Sequence, residues 1–582
     1  MNHSFFNLST SQAAGSLVAA LAMSAAAAFA DDNPAQADQM AQYEAAVPKT
    51  IVELQPFRQQ QTSMLANGTK VTLISLNPHI NATFLLTIGT DAYHIENPDP
   101  DGQKIVLAEQ PFAVIHVIGP ATTTRCDLWG GATSEFQIAR ESGLPYAPLC
   151  GARLYLRNAI PGSRSSLERV TDFLRDHIWQ GDKIVTLVKD TFYSDEYAET
   201  TTLVETSRQD SAPDGPQPAL IEARYLDQAI TPYGFGIAMV DPKQKQMSPG
   251  VWYSAAGVDG VFVSAIQPRT ISAEILNGPG SANRLDSIEG KAVDYLVAFD
   301  MTRYGVGFAL GTDHPRLDWS PRPRAQARIP GLPGPDGIGD ALPLVRSGMV
   351  SPDFAVRTIA TFVGGFKRQH GAFKFGDYAV IDTGKHYGFI EKGVIYSKLK
   401  QELSTLYVLD DGTTEMKTWK AADDALLPRI MFARQNGVPL IETNPVTGIG
   451  MPGDRVTQWG PGNWSGSAEA ELRTLRAGAC MQETGARRYL IYGYFSTATP
   501  SAMARVFQAY GCKYAMLLDM NAPELTYLAL YPRQDGNVHV EHLISVMSQF
   551  DKTAPDGNII PRFLGYPDSR DLFFIYRRGE AE

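Results

Sequence analysis

The chain has 582 residues, 44% of them hydrophobic, which is enough for a large core and, at this length, favours two or more domains. Its formal net charge of −11 argues against a nucleic-acid groove, because phosphate backbones are held mainly by Lys and Arg. A local basic pocket stays compatible with that balance.

The run over residues 17–30, LVAALAMSAAAAFA, is too short to span a membrane and closes on Ala28-Phe29-Ala30 ahead of Asp31-Asp32. It predicts a cleaved signal peptide and an exported protein, periplasmic or secreted, although no Lys or Arg precedes the run. No later stretch offers about eighteen uninterrupted apolar residues, so no transmembrane segment is expected after cleavage. Residues 31–49 form a polar lead-in. All four cysteines, Cys126, Cys150, Cys480 and Cys512, follow the signal, and an even count in an exported chain fits two disulfides. Pairing of neighbours, Cys126 with Cys150 and Cys480 with Cys512, costs least in loop closure. Four buried thiols are the alternative, and the wide spacing carries no zinc signature.

From residue 50 to about 193 the pattern mixes strands and helices, and an α/β accessory domain is expected over 50–250. Residues 71–76, 83–88 and 112–118 read as strands, with Asn67-Gly68 as a turn. Ser165-x-x-Glu168 is a capping box, and Leu167, Val170, Phe173, Leu174 and Ile178 form the helical face behind it. A strand follows at 183–188. Trp129 and Trp179 are candidates for stacking on sugar or for core packing. The breaker-rich stretch 209–218 lies in the interval expected to hold a domain boundary.

In the second half, strands are expected at 295–299 and 355–362, on either side of a Pro- and Gly-rich surface loop at 320–340. The most informative stretch is 499–524. Thr499 suits an N-cap and Pro500 the first helical position; Met503, Val506, Phe507 and Tyr510 share one face, and Gly511 ends the helix. A short apolar strand over 514–518 then delivers Asp519 to the mouth of a sheet, where a lone acid is a site candidate.

Four blocks between about 294 and 531 resemble the phosphodiester glycosidase family, whose animal member removes a capping N-acetylglucosamine to uncover mannose 6-phosphate. They are DYLVAFDMTRYGVGFALGTDHPRLDW at 294–319, TFVGGFKRQHGAFKFG at 361–376, WKAADDALLPRIMFARQNGVPLIE at 419–442, and the segment from RAGAC at 476–480 to Asp519. The second is similar to the family's Asn-Gly-Gly-Phe loop, the third to a bacterial Arg-Gln-Asn-x-x-Pro-Leu segment, and the fourth to its Arg-Thr-Ala-x-Gly strand. Two departures stand out: Val363 replaces the family's Asn, and Met520-Asn521-Ala522-Pro523 replaces the glycines that follow the family's acid, implying a different pocket floor.

The resemblance implies an α+β fold, a mixed-sheet glycosidase-like domain over 290–535 preceded by a separate α/β accessory domain and followed by a C-terminal extension, 536–582. It also implies a hydrolase that takes a sugar from a phosphodiester-linked or related envelope glycan. Such chemistry needs a carboxylate for the cationic sugar and Arg, Lys or His for the departing phosphate. Asp519 is the candidate carboxylate, as base, nucleophile or cation stabiliser; a loop acid capping the next turn is the plain alternative. Arg476 matches the strand Arg as phosphate clamp, with a surface salt bridge as its alternative. His370 as acid and Lys367 as charge could face one anion after the Gly364-Gly365 turn, or merely brace and solvate the loop. Arg434, Gln435 and Asn436 are candidate readers of sugar hydroxyls or a structural turn ending at Gly437, and Asn521 is a further candidate sugar contact. No cofactor is expected beyond a divalent cation, for which Asp300 could join Asp519 as an oxygen ligand. The rival reading is a non-catalytic glycan-binding or envelope-assembly protein that keeps the fold.

Overall fold

The N-terminal residues build two antiparallel sheets. Gln59–Met64, Lys70–Ser75, Thr83–Ile88, Asp91–Glu96, Leu154–Arg157 and Tyr146–Leu149 form one, in that order, and Lys104–Ala108, Val114–Ile118 and Thr123–Cys126 form the other. Asn67-Gly68 makes the expected turn, with Gly68 at φ 82°. Among the described residues the α/β pattern expected here gives way to an antiparallel arrangement with one short α-helix, Glu135–Glu141. Short connections explain this, since parallel strands need crossovers of about a dozen residues or more. Trp129 belongs to the small core of these sheets and donates to the Ala113 carbonyl at 2.8 Å.

This computed structural model describes residues 48–579 except 109–110, 131–132, 166–194, 241–245, 314–316, 318–335, 367–386, 458–470 and 535–536. Residues 166–188 of the expected helix and strand, with Trp179, and residues 320–335 of the expected loop lie outside the described residues. Residues from Pro48 onward fall in one compact unit.

Eight elements position the site: β1 (Asp294–Asp300), β2 (Thr358–Val363), β3 (Ile430–Gln435), β4 (Thr474–Thr484), β5 (Arg487–Ala498), α1 (Pro500–Ala509), β6 (Tyr514–Met520) and β7 (Leu572–Arg577). A short helix, Pro352–Ala355, occupies the start of the strand expected at 355–362, and β2 begins after it. An eight-stranded sheet carries β1, β5, β4 and β6 side by side; a five-stranded sheet carries β7 between Tyr304–Ala309 and β2; a third sheet holds β3. Every pairing of these strands is antiparallel. Residues 536–582, expected as an extension, thus supply an interior strand of the second sheet, whose Leu572, Phe573, Phe574 and Ile575 are buried.

The helix forms as its sequence requires: Thr499 Oγ1 accepts from the Ala502 N–H at 3.2 Å, and Gly511 takes φ 71° just beyond its end. The helix covers one face of the large sheet, because a Cβ on Gly478 would lie 2.9 Å from both Met503 and Phe507. The other face meets the five-stranded sheet, with Phe362 of β2 5.3 Å from Tyr492 of β5. Both cysteine pairs, Cys126–Cys150 and Cys480–Cys512, are disulfide-bonded; the second ties β4 to the turn after α1.

Candidate active site around Asp519

Asp519 sits near the end of β6, where the pairing with β4 slips: Gly478 faces Leu517, but Arg476 faces Met520. Leu518 and Asp519 together oppose Ala477, a bulge, and bulges re-aim side chains. Leu517 shares the α1-covered face with Gly478. Without the bulge Asp519 would point that way too; instead its Oδ2 accepts from Arg570 Nη1 at 3.0 Å, on the side of the second sheet. Its Oδ1 accepts from the Met520 N–H at 2.9 Å. Asn436 holds the bulge, its Nδ2 donating to the Leu517 and Leu518 carbonyls at 2.7 and 3.1 Å.

The Gly364-Gly365 turn follows β2 and closes over the same place. Gly364 N–H donates to the Asp571 carbonyl at 2.9 Å, and a Cβ on Gly364 would lie 2.6 Å from Asp571 Oδ2. Gly365 has φ 149°, and a Cβ there would lie 2.9 Å from Asn436 Cγ. Both positions therefore exclude side chains. Arg434, wholly buried at the end of β3, donates through Nε to Asp571 Oδ2 at 2.9 Å, through Nη1 to Asn436 Oδ1 at 3.1 Å and through Nη2 to the Phe366 carbonyl at 2.7 Å. With the Gln435 carbonyl as a further acceptor, its guanidinium is an organiser of the site. Among the described residues Asp571 Oδ1 is buried with no hydrogen-bond partner.

Burial pushes the Asp519 carboxyl up to about 6, although Arg570 beside it pulls the other way. A carboxyl that titrates near neutrality can move a proton or, once ionised, oppose positive charge forming on a substrate. The loop after Asp519 and the one before Arg570 form part of the wall of a cleft of about 640 Å³, through Ala522, Pro523, Glu524 and Asp568. Asp568 links the parts: Arg562 Nε and Nη2 donate to its two oxygens at 2.9 and 3.1 Å, and the Arg570 N–H donates to it at 2.9 Å.

The structure brings Gly364, Gly365, Arg434, Asn436 and Asp519 together. It places others elsewhere. Arg476, two residues from Gly478, lies on the α1-covered face, where its Nε donates to the Ala498 carbonyl at 2.7 Å and Nη2 to the Leu472 carbonyl at 2.9 Å. Burial lowers its pKa to about 9, against the pull of Glu289. It braces strands and does not face Asp519, because side chains alternate across a sheet and the bulge turns only the acid. Gln435 is consumed by the backbone of Gly388 and Lys400 and by Thr405, a structural turn. Asn521 takes φ 82°, filling a left-handed position that would suit a glycine, and its Oδ1 accepts from Thr474. Asp300 caps its own turn through the Thr302 N–H and Oγ1 at 2.9 and 2.7 Å. Across the sheet it aligns with Tyr489 and Gln482, six residues along β4 from Arg476 and so about 20 Å from the Asp519 end. No group of three or more acids, His or Cys among the described residues could hold a metal. Lys367 and His370 lie outside the described residues. The sequence reading missed Arg570 and Asp571; the signal for them is the charged Asp568-Ser569-Arg570-Asp571 run abutting an apolar strand.

No family model and no curated protein matches this chain. Among solved structures, it is similar to the zebrafish N-acetylglucosamine-1-phosphodiester alpha-N-acetylglucosaminidase catalytic domain, auto-inhibited by its pro-peptide. That similarity has a TM-score of 0.28 and 10% identity and covers 65% of this chain and 89% of that one. A hypothetical protein from Synechocystis is similar at a TM-score of 0.24 and 9% identity, covering 89% and 99%.

Proposed function

We propose that this chain is an exported hydrolase of the phosphodiester glycosidase type, removing a sugar from a phosphodiester-linked or related envelope glycan. One observation carries the reading: residues from three of the resembling sequence blocks, Gly364-Gly365, Arg434 with Asn436, and Asp519, gather around two neighbouring buried carboxyls, with Gly364 and Arg434 against Asp571 and Asn436 holding the bulge that aims Asp519. In this reading ionised Asp519 opposes the positive charge that builds at the anomeric carbon as the phosphate departs. Arg570 fixes its orientation, and Arg434 fixes Asp571 beside it. A phosphate leaves more readily than a sugar hydroxyl, so one carboxylate with modest acid assistance suffices. The disulfides and the signal-like run support export.

The rival is glycan binding without turnover, which the existing ion pair of Asp519 with Arg570 favours. Turnover of a panel of sugar 1-phosphate diesters and envelope oligosaccharides by the purified protein and by Asp519→Ala separates the two. We expect hydrolysis of a phosphodiester member and a loss of about a hundredfold or more in the variant. Equal rates would remove Asp519 from the chemistry; inertness toward the whole panel would favour binding.

A further inference from the structure

The cleft beside Asp519 holds a carboxylate that the reaction above does not use. Glu524 stands in its wall and is only 6% exposed. Among the described residues no donor hydrogen-bonds to its side chain. Arg562, the cation that interacts with it, gives Nη1 to the Glu524 backbone carbonyl at 2.8 Å and its Nε and Nη2 to Asp568. Its carboxylate therefore opens to the cleft, where donors of a ligand can take the place of water.

The wall says which donor. Arg164, Lys552 and Arg562 are balanced by Glu524, Asp551 and Asp568, so the cleft carries no excess of positive charge to draw a phosphate. Interleaved donors and acceptors beside aromatic surface, here Phe550 and Tyr566, suit groups that both donate and accept, the hydroxyls of a sugar ring. We propose that Glu524 is a substrate-binding residue whose carboxylate accepts hydrogen bonds from the hydroxyls of an uncharged sugar ring seated in this cleft. The inference rests on the reading of the protein as one that takes a glycan, and it assigns the cleft to the sugar rather than the phosphate.

Calorimetric titration with cellobiose, chitobiose and glucose 1-phosphate tests it, using the full chain, Glu524→Ala, Glu524→Asp, Glu524→Gln and Asp519→Asn. We expect an uncharged disaccharide to bind at millimolar concentration. Glu524→Ala should weaken it at least about tenfold, as loss of a hydrogen bond to a charged group does, with partial recovery in Glu524→Asp. Matching thermal melts for wild type and Glu524→Gln, with weaker binding in the latter, separate recognition from folding. Absence of disaccharide binding, or equal affinity in wild type and Glu524→Ala, overturns the proposal. Binding that depends on Glu524 and persists in Asp519→Asn, without turnover by any variant, would sink the hydrolase reading while leaving this one standing.

Discussion

Arg570 Nη1 lies 3.0 Å from Asp519 Oδ2, and this pair ties the last turnable residue of one sheet to the segment that leads into an interior strand of another. Both side chains are more than nine-tenths buried, so the pair is a fixed part of the site rather than a surface contact. Its electrostatics give the first prediction.

Burial raises Asp519 from the ordinary carboxyl range to about 6. Between about pH 4 and pH 6 the native state keeps a proton that the unfolded chain has lost, so the group's contribution to stability is full below that window and disappears as pH rises through it. The amount is about 3 kcal/mol at most. Denaturant unfolding of wild type and Asp519→Asn should therefore shift in favour of the variant as pH goes from 4 to 7; a constant difference would contradict the raised pKa. In the hydrolase reading turnover rises with pH through about 6. Arg570→Ala removes the opposing cation and should move that limb to higher pH.

Arg476 supports strands, so its removal should act on stability rather than on substrate. Arg476→Ala removes the guanidinium donor from the Ala498 and Leu472 carbonyls and leaves a cavity under α1. A loss of about 3–5 kcal/mol is expected, with KM unchanged for any substrate of the wild type. A KM rise at unaltered stability would restore Arg476 to a binding role.

A buried ion network anchors the N-terminal sheet to the remainder of the chain. Arg157 Nε is 3.2 Å from Glu96 and its Nη2 2.7 Å from Glu391, while Lys392 meets Glu96 and lies 2.9 Å from Asp353. Glu96→Ala leaves two buried cations short of a partner and should cost about 3–5 kcal/mol in equilibrium unfolding. A change below about 1 kcal/mol would show that apolar contacts alone hold this junction.

Local chemistry was legible where it is local. The Thr499 cap, the helix to Ala509, the strand that follows and the position of Asp519 near its end depend on neighbours in sequence, and the structure holds each of them. The pairing of near cysteines follows from loop closure in the same way. Arg570 and Asp571 were not legible, because nothing near them in sequence says that β7 runs between β2 and Tyr304–Ala309. The direction of Asp519 was not legible either: strand alternation puts it with Leu517, and only the mismatch against β4, held by Asn436 from a third sheet, turns it.

By itself, then, the sequence determined the helix over 500–509, the strand after it and which acid lies near that strand's end, and it favoured pairing of neighbouring cysteines, since these follow from periodicity, capping and short loops. Tertiary structure alone decided the acid's partners. It put Arg570 against Asp519, withdrew Arg476 to the far face and left the Glu524 carboxylate open to a cleft. The reason is that register and sheet order are set by contacts tens to hundreds of residues apart, and a one-residue slip changes which face a side chain meets.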